Sequence, residues 1–189
     1  MSHAYPPDRN KSIAWAKHVL ITRNRWVILD TETTGIGPRD EVIQIAVIDL
    51  KGTVRLDSYI QPIRRKKIPL GATAVHGITM KMLQGVPTYL ELFPRLEKSV
   101  ADRTIIAYNA EFDKQLLDQT ARINQAQQLE ASWACAMLQY ARFVGEWLAF
   151  KQDYQWQKLP FAGHNALADC QAILDLIQKM AKTPMWRPK

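Results

Sequence analysis

The run Leu29-Asp30-Thr31-Glu32-Thr33-Thr34-Gly35 places two carboxylates, two residues apart, directly after the apolar stretch Trp26-Val27-Ile28-Leu29. On a strand, residues two apart share a face and lie roughly 6.5 to 7 Å apart along the backbone, so Asp30 and Glu32 would project to the same side. Left bare in a partly buried place, each would raise the other's pKa, and one would take up a proton. A divalent cation reverses that logic, because hard oxygen ligands are what magnesium and manganese prefer.

Two more carboxylates share an environment. Asn109-Ala110-Glu111-Phe112-Asp113 and Asn165-Ala166-Leu167-Ala168-Asp169 both read Asn-Ala-x-x-Asp. In each, Asn suits a helix N-cap and the aspartate falls one turn later, leaning back toward the helix start. Asp113 has Leu116 and Leu117 at the next turn; Asp169 has Ala166, Ala172 and Ile173 around it, and neither has a base three or four residues away. Asp118, between Lys114 and Arg122, and Asp175, with Lys179, read instead as solvated helix-face pairs. Burying an unpaired carboxylate on an apolar face is expensive, so Asp113 and Asp169 call for a cationic partner from elsewhere in space. Four carboxylates match two divalent ions, Mg²⁺ or Mn²⁺, which in two-metal phosphoryl-transfer sites stand roughly 3.5 to 4 Å apart.

Water that attacks phosphorus must lose a proton. His164 immediately precedes Asn165 and can reach the pocket of Asp169; a histidine, with a reference pKa of about 6.5, accepts a proton at neutral pH. His76, in Val75-His76-Gly77-Ile78-Thr79, would either contact a phosphate or terminal sugar, or cap a helix following Thr79. His3 and His18 carry no useful pattern.

These groups need a scaffold. The 189 residues are 47% hydrophobic, enough for one domain with a proper core. Lys and Arg number 25 against 18 acids, a formal charge of +7, which suits a polyanionic partner or simply a soluble basic surface. The run Arg64-Arg65-Lys66-Lys67 reads more readily as a solvated loop than as a phosphate contact. Cys135 and Cys170 form no CxxC pattern, which points to free thiols in a reducing compartment, a cytoplasm of bacterial type or a nuclear space. No apolar run suits a signal peptide or a membrane span.

Along the chain, residues 1–10 read as disordered, Ser12 to about Thr22 as a short helix, and Arg25–Thr31 as a central strand. Glu41–Leu50 and Val54–Ile60 continue an antiparallel meander. A helix from about Thr88 to Val100, a strand Thr104–Tyr108 and a helix Ala110–Ile123 follow. Trp133–Trp147 reads as helical after a short strand or turn, residues 149–163 as irregular and aromatic, and a last helix runs from Asn165 to near Lys182, before a frayed tail. The expected organisation is an N-terminal extension (1–24), a catalytic domain (25–182) and a tail (183–189). Its order implies an α/β, ribonuclease-H-like fold: a mixed central sheet, meander plus parallel strands, with helices on both sides.

The motifs Leu29–Gly35, Tyr108-Asn109-Ala110-Glu111-Phe112-Asp113-Lys114-Gln115-Leu116-Leu117 and His164-Asn165-Ala166-Leu167-Ala168-Asp169 resemble the three exonuclease motifs of the DnaQ-like, DEDDh-type 3′ to 5′ exonucleases, which include proofreading subunits of bacterial replicative polymerases. The resemblance covers about residues 25 to 180. It implies that Asp30, Glu32 and Asp169 hold one metal ion, that Asp30 also touches a second with Asp113 nearby, and that His164 is the general base. It further implies that Thr31, Thr33, Thr34 and Gly35, with His76, seat the terminal nucleotide, and that Asn109 lies close to the strand. Expected partners are 3′ ends of single-stranded DNA or RNA and a DNA polymerase. The sequence departs from the family where Tyr108 stands for a frequent histidine, where Cys135 replaces a frequent aspartate, and in the tryptophan-rich segment 133–156. The rival readings are a non-catalytic nucleic-acid-binding module and a haloacid-dehalogenase-like phosphatase. The phosphatase uses an aspartate nucleophile in an Asp-x-Asp pattern, against which Glu32 and the late His164 argue, and the binding module has little use for four acids and a base.

Overall fold

The structure, a computed structural model, describes residues 6–187. Its centre is a five-stranded sheet of β1 (Trp26–Thr33), β2 (Val42–Asp49), β3 (Val54–Tyr59), β4 (Thr104–Ala107) and β5 (Trp133–Cys135), in the spatial order β3-β2-β1-β4-β5. The β1/β2 and β2/β3 pairs are antiparallel, while β1/β4 and β4/β5 are parallel. This is the mixed sheet expected from the sequence, with helices on both faces.

Alternation along β1 sorts its side chains between two cores. Ile28 faces a core built with α1 (Pro6–Ile21), α5 (Ala136–Val144) and α6 (Ala166–Lys182), through Ile13, Ala136, Ile173 and Ile177. Val27 and Leu29 face the opposite core, with α3 (Tyr89–Val100) and α4 (Ala110–Ile123), through Leu92, Leu96, Leu116 and Leu117. Both faces of the strand are dry, which is why the sequence before Asp30 is uninterrupted hydrophobe.

Several boundaries differ from expectation for identifiable reasons. α1 begins at Pro6, so residues 6–10 are helical rather than disordered; residues 1–5 lie outside the described residues. Proline is tolerated in a first helical turn, where its missing N–H has no partner to lose, and Asp8 there suits the helix dipole. The tail is not frayed as far as Trp186, whose N–H donates to Asn10 Oδ1 and whose carbonyl accepts from Asn10 Nδ2, both at 2.9 Å. β1 runs to Thr33 and so includes Glu32.

The helix expected over Trp133–Trp147 is confined to Ala136–Val144, because Gly145, at φ 81°, caps it in the left-handed region. Within the stretch expected to be irregular, Asp153–Tyr154 (β7) pairs with Trp147–Leu148 (β6) as a small hairpin. A short α2 (Leu70–His76) ends on His76, and no helix follows Thr79 until α3. Nothing in α2 is buried, so it left no periodic apolar signal. Cys135 and Cys170 are free thiols. Among the described residues no helix is long and apolar enough to cross a membrane.

Candidate active site

The carboxylates meet where a strand runs out. β4 ends at Ala107, and its register with β1 extends only to Ile28 opposite Ile106. Beyond that point β1 continues alone on one side, and a crevice opens at the carboxyl ends of the two parallel strands, where ligands of α/β sheets commonly bind. Asp30 and Glu32 have the parity of Ile28 and so share the face against which α6 packs; α6 brings Asp169 to them. One oxygen from each of Asp30, Glu32 and Asp169 falls within a mutual 4.8 Å. Asp113 comes from α4, on the opposite face, and its Oδ1 accepts a 2.8 Å hydrogen bond from Thr31, the β1 residue of opposite parity. With no β4 partner beside β1 at this point, acids from both layers can converge.

Local chemistry aims α6. Asn165 caps the helix as expected, its Oδ1 accepting from the N–H groups of Leu167 (3.2 Å) and Ala168 (3.3 Å). Asp169 Oδ1 accepts from Gly163 N–H at 2.7 Å, drawing the loop that carries His164 onto the carboxylate. A Cβ at Gly163 would meet that of Ala168 at 3.3 Å, so the close approach suits glycine. Asn109 departs from expectation: its side chain makes no cap bond on α4. It lines the cavity instead.

That cavity, of about 560 Å³, is lined by Asp30, Thr31, Glu32, Asn109, Asp113, His164 and Asp169. Tyr108, Phe112, Lys158, Leu159, Phe161 and Ala162 complete it, and the sequence reading had not assigned these to the site. Phe112 could have been found as the residue beside Asp113 and Tyr108 as the one before Asn109; Lys158, Leu159, Phe161 and Ala162 come from an irregular segment with no periodicity to read. Tyr108 donates its hydroxyl to the Gln157 carbonyl at 2.7 Å and fastens that segment over the site.

The remaining candidates are used differently. Thr33 and Thr34 are 8% and 0% exposed; their hydroxyls donate to the Gly35 carbonyl and to Asp40 Oδ1, both at 2.8 Å, and so shape the turn rather than the cavity wall. Gly35 lies in that turn. His76 Nδ1 accepts from the Ile78 N–H at 3.0 Å, which leaves the proton on Nε2, 3.2 Å from the Thr33 carbonyl. Both ring nitrogens are thus engaged by backbone. Burial, and then the charge of His164, hold the His76 pKa below the ordinary value, against the pull of the Thr33 carbonyl.

The acids repel one another. Burial, followed by the charges of Asp113, Asp169 and Glu32, pushes the Asp30 carboxyl well above its usual range. Glu32 is raised to about 7 by burial and then by Asp169 and Asp113. Burial raises Asp113 to about 7 as well, against the hydrogen bonds from Thr31 and the local backbone. Among the described residues none of these four has a Lys or Arg ion pair. A set of clustered hard oxygens without a protein counter-charge fits a divalent cation, and Asp30, Glu32 and Asp169 are the residues that would hold it.

The exonuclease family model, of RNase T type, matches residues 27–177. The chain belongs to the exonuclease family. The exonuclease is therefore a nuclease, a hydrolase of phosphodiester bonds. It is 35% identical over 173 residues to the uncharacterized exonuclease CP81 of Escherichia phage 186, covering 82% of this chain and 88% of that protein. It is 35% identical over 100 residues to the DNA polymerase III subunit epsilon of Rickettsia typhi, 50% of this chain and 43% of that one. It is 30% identical over 171 residues to the PolC-type DNA polymerase III of Thermotoga maritima, covering 83% of this chain but 12% of that protein. The exonuclease thus spans less than half the length of these two polymerase relatives. Among solved structures it shares its fold with Escherichia coli exonuclease I in complex with a dA16 oligonucleotide, at TM-score 0.63 and 19% identity over 82% of this chain and 40% of that one. Exonuclease X in complex with 5′ overhanging duplex DNA matches at TM-score 0.56 and 22% identity, over 85% of this chain and 95% of that one.

Proposed function

We propose that this exonuclease removes nucleoside 5′-monophosphates one at a time from the 3′ end of single-stranded nucleic acid, DNA in preference to RNA. The observation that carries this reading is the convergence of Asp30 and Glu32 from β1, Asp113 from α4 and Asp169 from α6 on one crevice, with His164 on the same wall. Two divalent ions, Mg²⁺ or Mn²⁺, bound to these carboxylates would neutralise charge growing on the phosphate and on the departing 3′ oxygen.

The chain's own groups divide the remaining work. His164 takes the proton of the attacking water on its imidazole. Asn109, whose amide no helix cap occupies, faces the strand from across the cavity. Thr31 fixes the rotamer of Asp113 through its hydroxyl. Phe112, Leu159 and Phe161 give the terminal nucleotide an apolar wall opposite the acids. The resemblance to polymerase subunits makes a DNA polymerase a fitting partner, and the dA16 complex of exonuclease I suits a single-stranded substrate.

The test is incubation of 3′-end-labelled single-stranded DNA and RNA of matched sequence with Mg²⁺ or Mn²⁺. Labelled 5′-mononucleotide should appear at once from DNA, and chelation should stop its release. Asp30→Asn should abolish release with the fold intact, and His164→Gln should lower kcat by about 100-fold or more while KM changes little. Internal cleavage products, or undiminished release in the Asp30 variant, would overturn the assignment.

A further inference from the structure

A second cavity, of about 530 Å³, adjoins the carboxylate cavity and shares Asn109 with it. Its walls are Trp133, Cys135, Met137, Leu138 and Trp156, with Ala110, Glu111 and Lys114 along α4. Much of the tryptophan-rich segment, for which the catalytic groups have no use, is gathered here. Trp156 and Leu138 are 57% and 38% exposed, an unusual state for large apolar side chains that face a cavity.

The main chain on either side of Trp156 is held, while its side chain is not packed away. On one side of it the Gln155 N–H donates to the Glu146 carbonyl at 2.7 Å, and on the other the Gln157 carbonyl accepts the Tyr108 hydroxyl at 2.7 Å. An indole carried on an anchored backbone and open to solvent, with two side-chain torsions to order, loses less entropy on meeting a ligand than one on a free loop. The two ionic groups at the rim, Glu111 and Lys114, have opposite sign, and Lys114 is already paired with Asp118 at 3.1 Å. The cavity therefore selects a flat, uncharged, apolar-faced group rather than a phosphate.

We propose that this cavity is a nucleobase subsite that takes the base of the nucleotide on the 5′ side of the one held at the carboxylates, with the Trp156 indole as its stacking face. This rests on the proposed 3′-end reading, because a strand that ends at the carboxylates continues only in the 5′ direction. Asn109, common to both cavities, marks where the strand passes from one to the other. Base–aromatic stacking tolerates any sequence, since every base has a π-face.

The experiment measures Kd by fluorescence anisotropy of 5′-labelled single-stranded DNA with Ca²⁺ as the divalent ion. The strands are intact or carry one abasic nucleotide at the first, second, third or fourth position from the 3′ end. For the wild type, loss of the second base should weaken binding about tenfold. Trp156→Ala should bind the intact strand about tenfold more weakly and be indifferent to loss of the second base, whereas Trp156→Phe should retain the sensitivity. Circular dichroism would confirm that both variants are folded. The subsite is overturned if Trp156→Ala keeps the second-base sensitivity, if it binds every strand as the wild type does, which would assign the cavity to a protein segment, or if the wild type binds none of the strands. A wild type that shows the binding pattern but releases no mononucleotide with Mg²⁺ would instead overturn the proposed hydrolysis and leave the subsite standing as a 3′-end binding site.

Discussion

At the scale of single residues, the site is a set of groups that the fold holds against their own preference. Asp30, Glu32 and Asp113 all have folded-state pKa values above their ordinary ones, Glu32 and Asp113 at about 7, with burial as the first cause. Between about pH 4 and 7 the folded chain therefore holds protons that the unfolded chain has released. The stability that these protonated carboxyls contribute is complete below the unfolded pKa values and is lost as pH rises through about 7. Metal-free protein should accordingly show a falling Tm from pH 5 to pH 8. Mn²⁺ or Mg²⁺ should raise Tm more at pH 8 than at pH 5, because binding to the native state alone stabilises it and the ions compete with the protons. Scanning calorimetry at the two pH values, with and without the ion, reads this directly. A Tm that rises with pH in chelator would contradict the repulsion.

At the scale of elements, what matters is how β1 leaves the sheet. Gly35 has φ 154°, and a Cβ there would stand 2.8 Å from Asp40 Oδ2, so the turn after the motif closes tightly around the Asp40 side chain. Asp40 accepts from Thr34 Oγ1 and Gly37 N–H at 2.8 Å each and pairs with Arg65 at 2.9 Å. Glu41, fully buried, accepts from the N–H groups of Ile63, Arg64 and Arg65 at 2.9, 3.0 and 2.9 Å. The run of four cations is thus neither a free loop nor wholly available for a ligand: its backbone is pinned and Arg65 is spent on Asp40, while Arg64, Lys66 and Lys67 remain exposed. Glu41→Gln keeps the shape but removes the charge and one acceptor oxygen, leaving part-buried N–H groups of the loop short of a partner. It should lower stability by about 1 to 3 kcal/mol in urea unfolding. An unchanged midpoint would mean that the loop does not depend on this carboxylate.

At the scale of the whole molecule, a chain of net charge +7 carries four clustered carboxylates. In the proposed reading the acids and their cations would serve the reacting phosphate, which leaves the rest of the strand to be attracted by the net positive charge. Binding of single-stranded DNA at fixed divalent concentration should weaken linearly in log Kd against log salt, as counterions are released from each contacted phosphate. Measured between about 50 and 200 mM salt, an affinity independent of ionic strength would leave the basic surface without a part in binding.

Much of this was legible in the chain. The apolar run before Asp30 could only be a strand buried on both faces, the Asp-x-Glu spacing dictated a common side, and the apolar neighbours of Asp113 and Asp169 set them apart from Asp118, which pairs with Lys114 on the surface. Asp175 shows the limit of such reading, for it accepts from Gln171 at 2.9 Å rather than pairing with Lys179. These are local rules of period and neighbour, and sequence states them directly. The tertiary structure alone decided that Asp113 reaches the other acids across the sheet, because that depends on β4 stopping short of β1. It also decided that the Asn109 side chain makes no cap bond to its helix, that His76 is taken up by backbone, and that an irregular aromatic segment is tied by Tyr108 over the site. Each of these joins residues remote in sequence through a strand end or a single hydrogen bond, and no periodicity records where a strand will end or which carbonyl a distant hydroxyl will find.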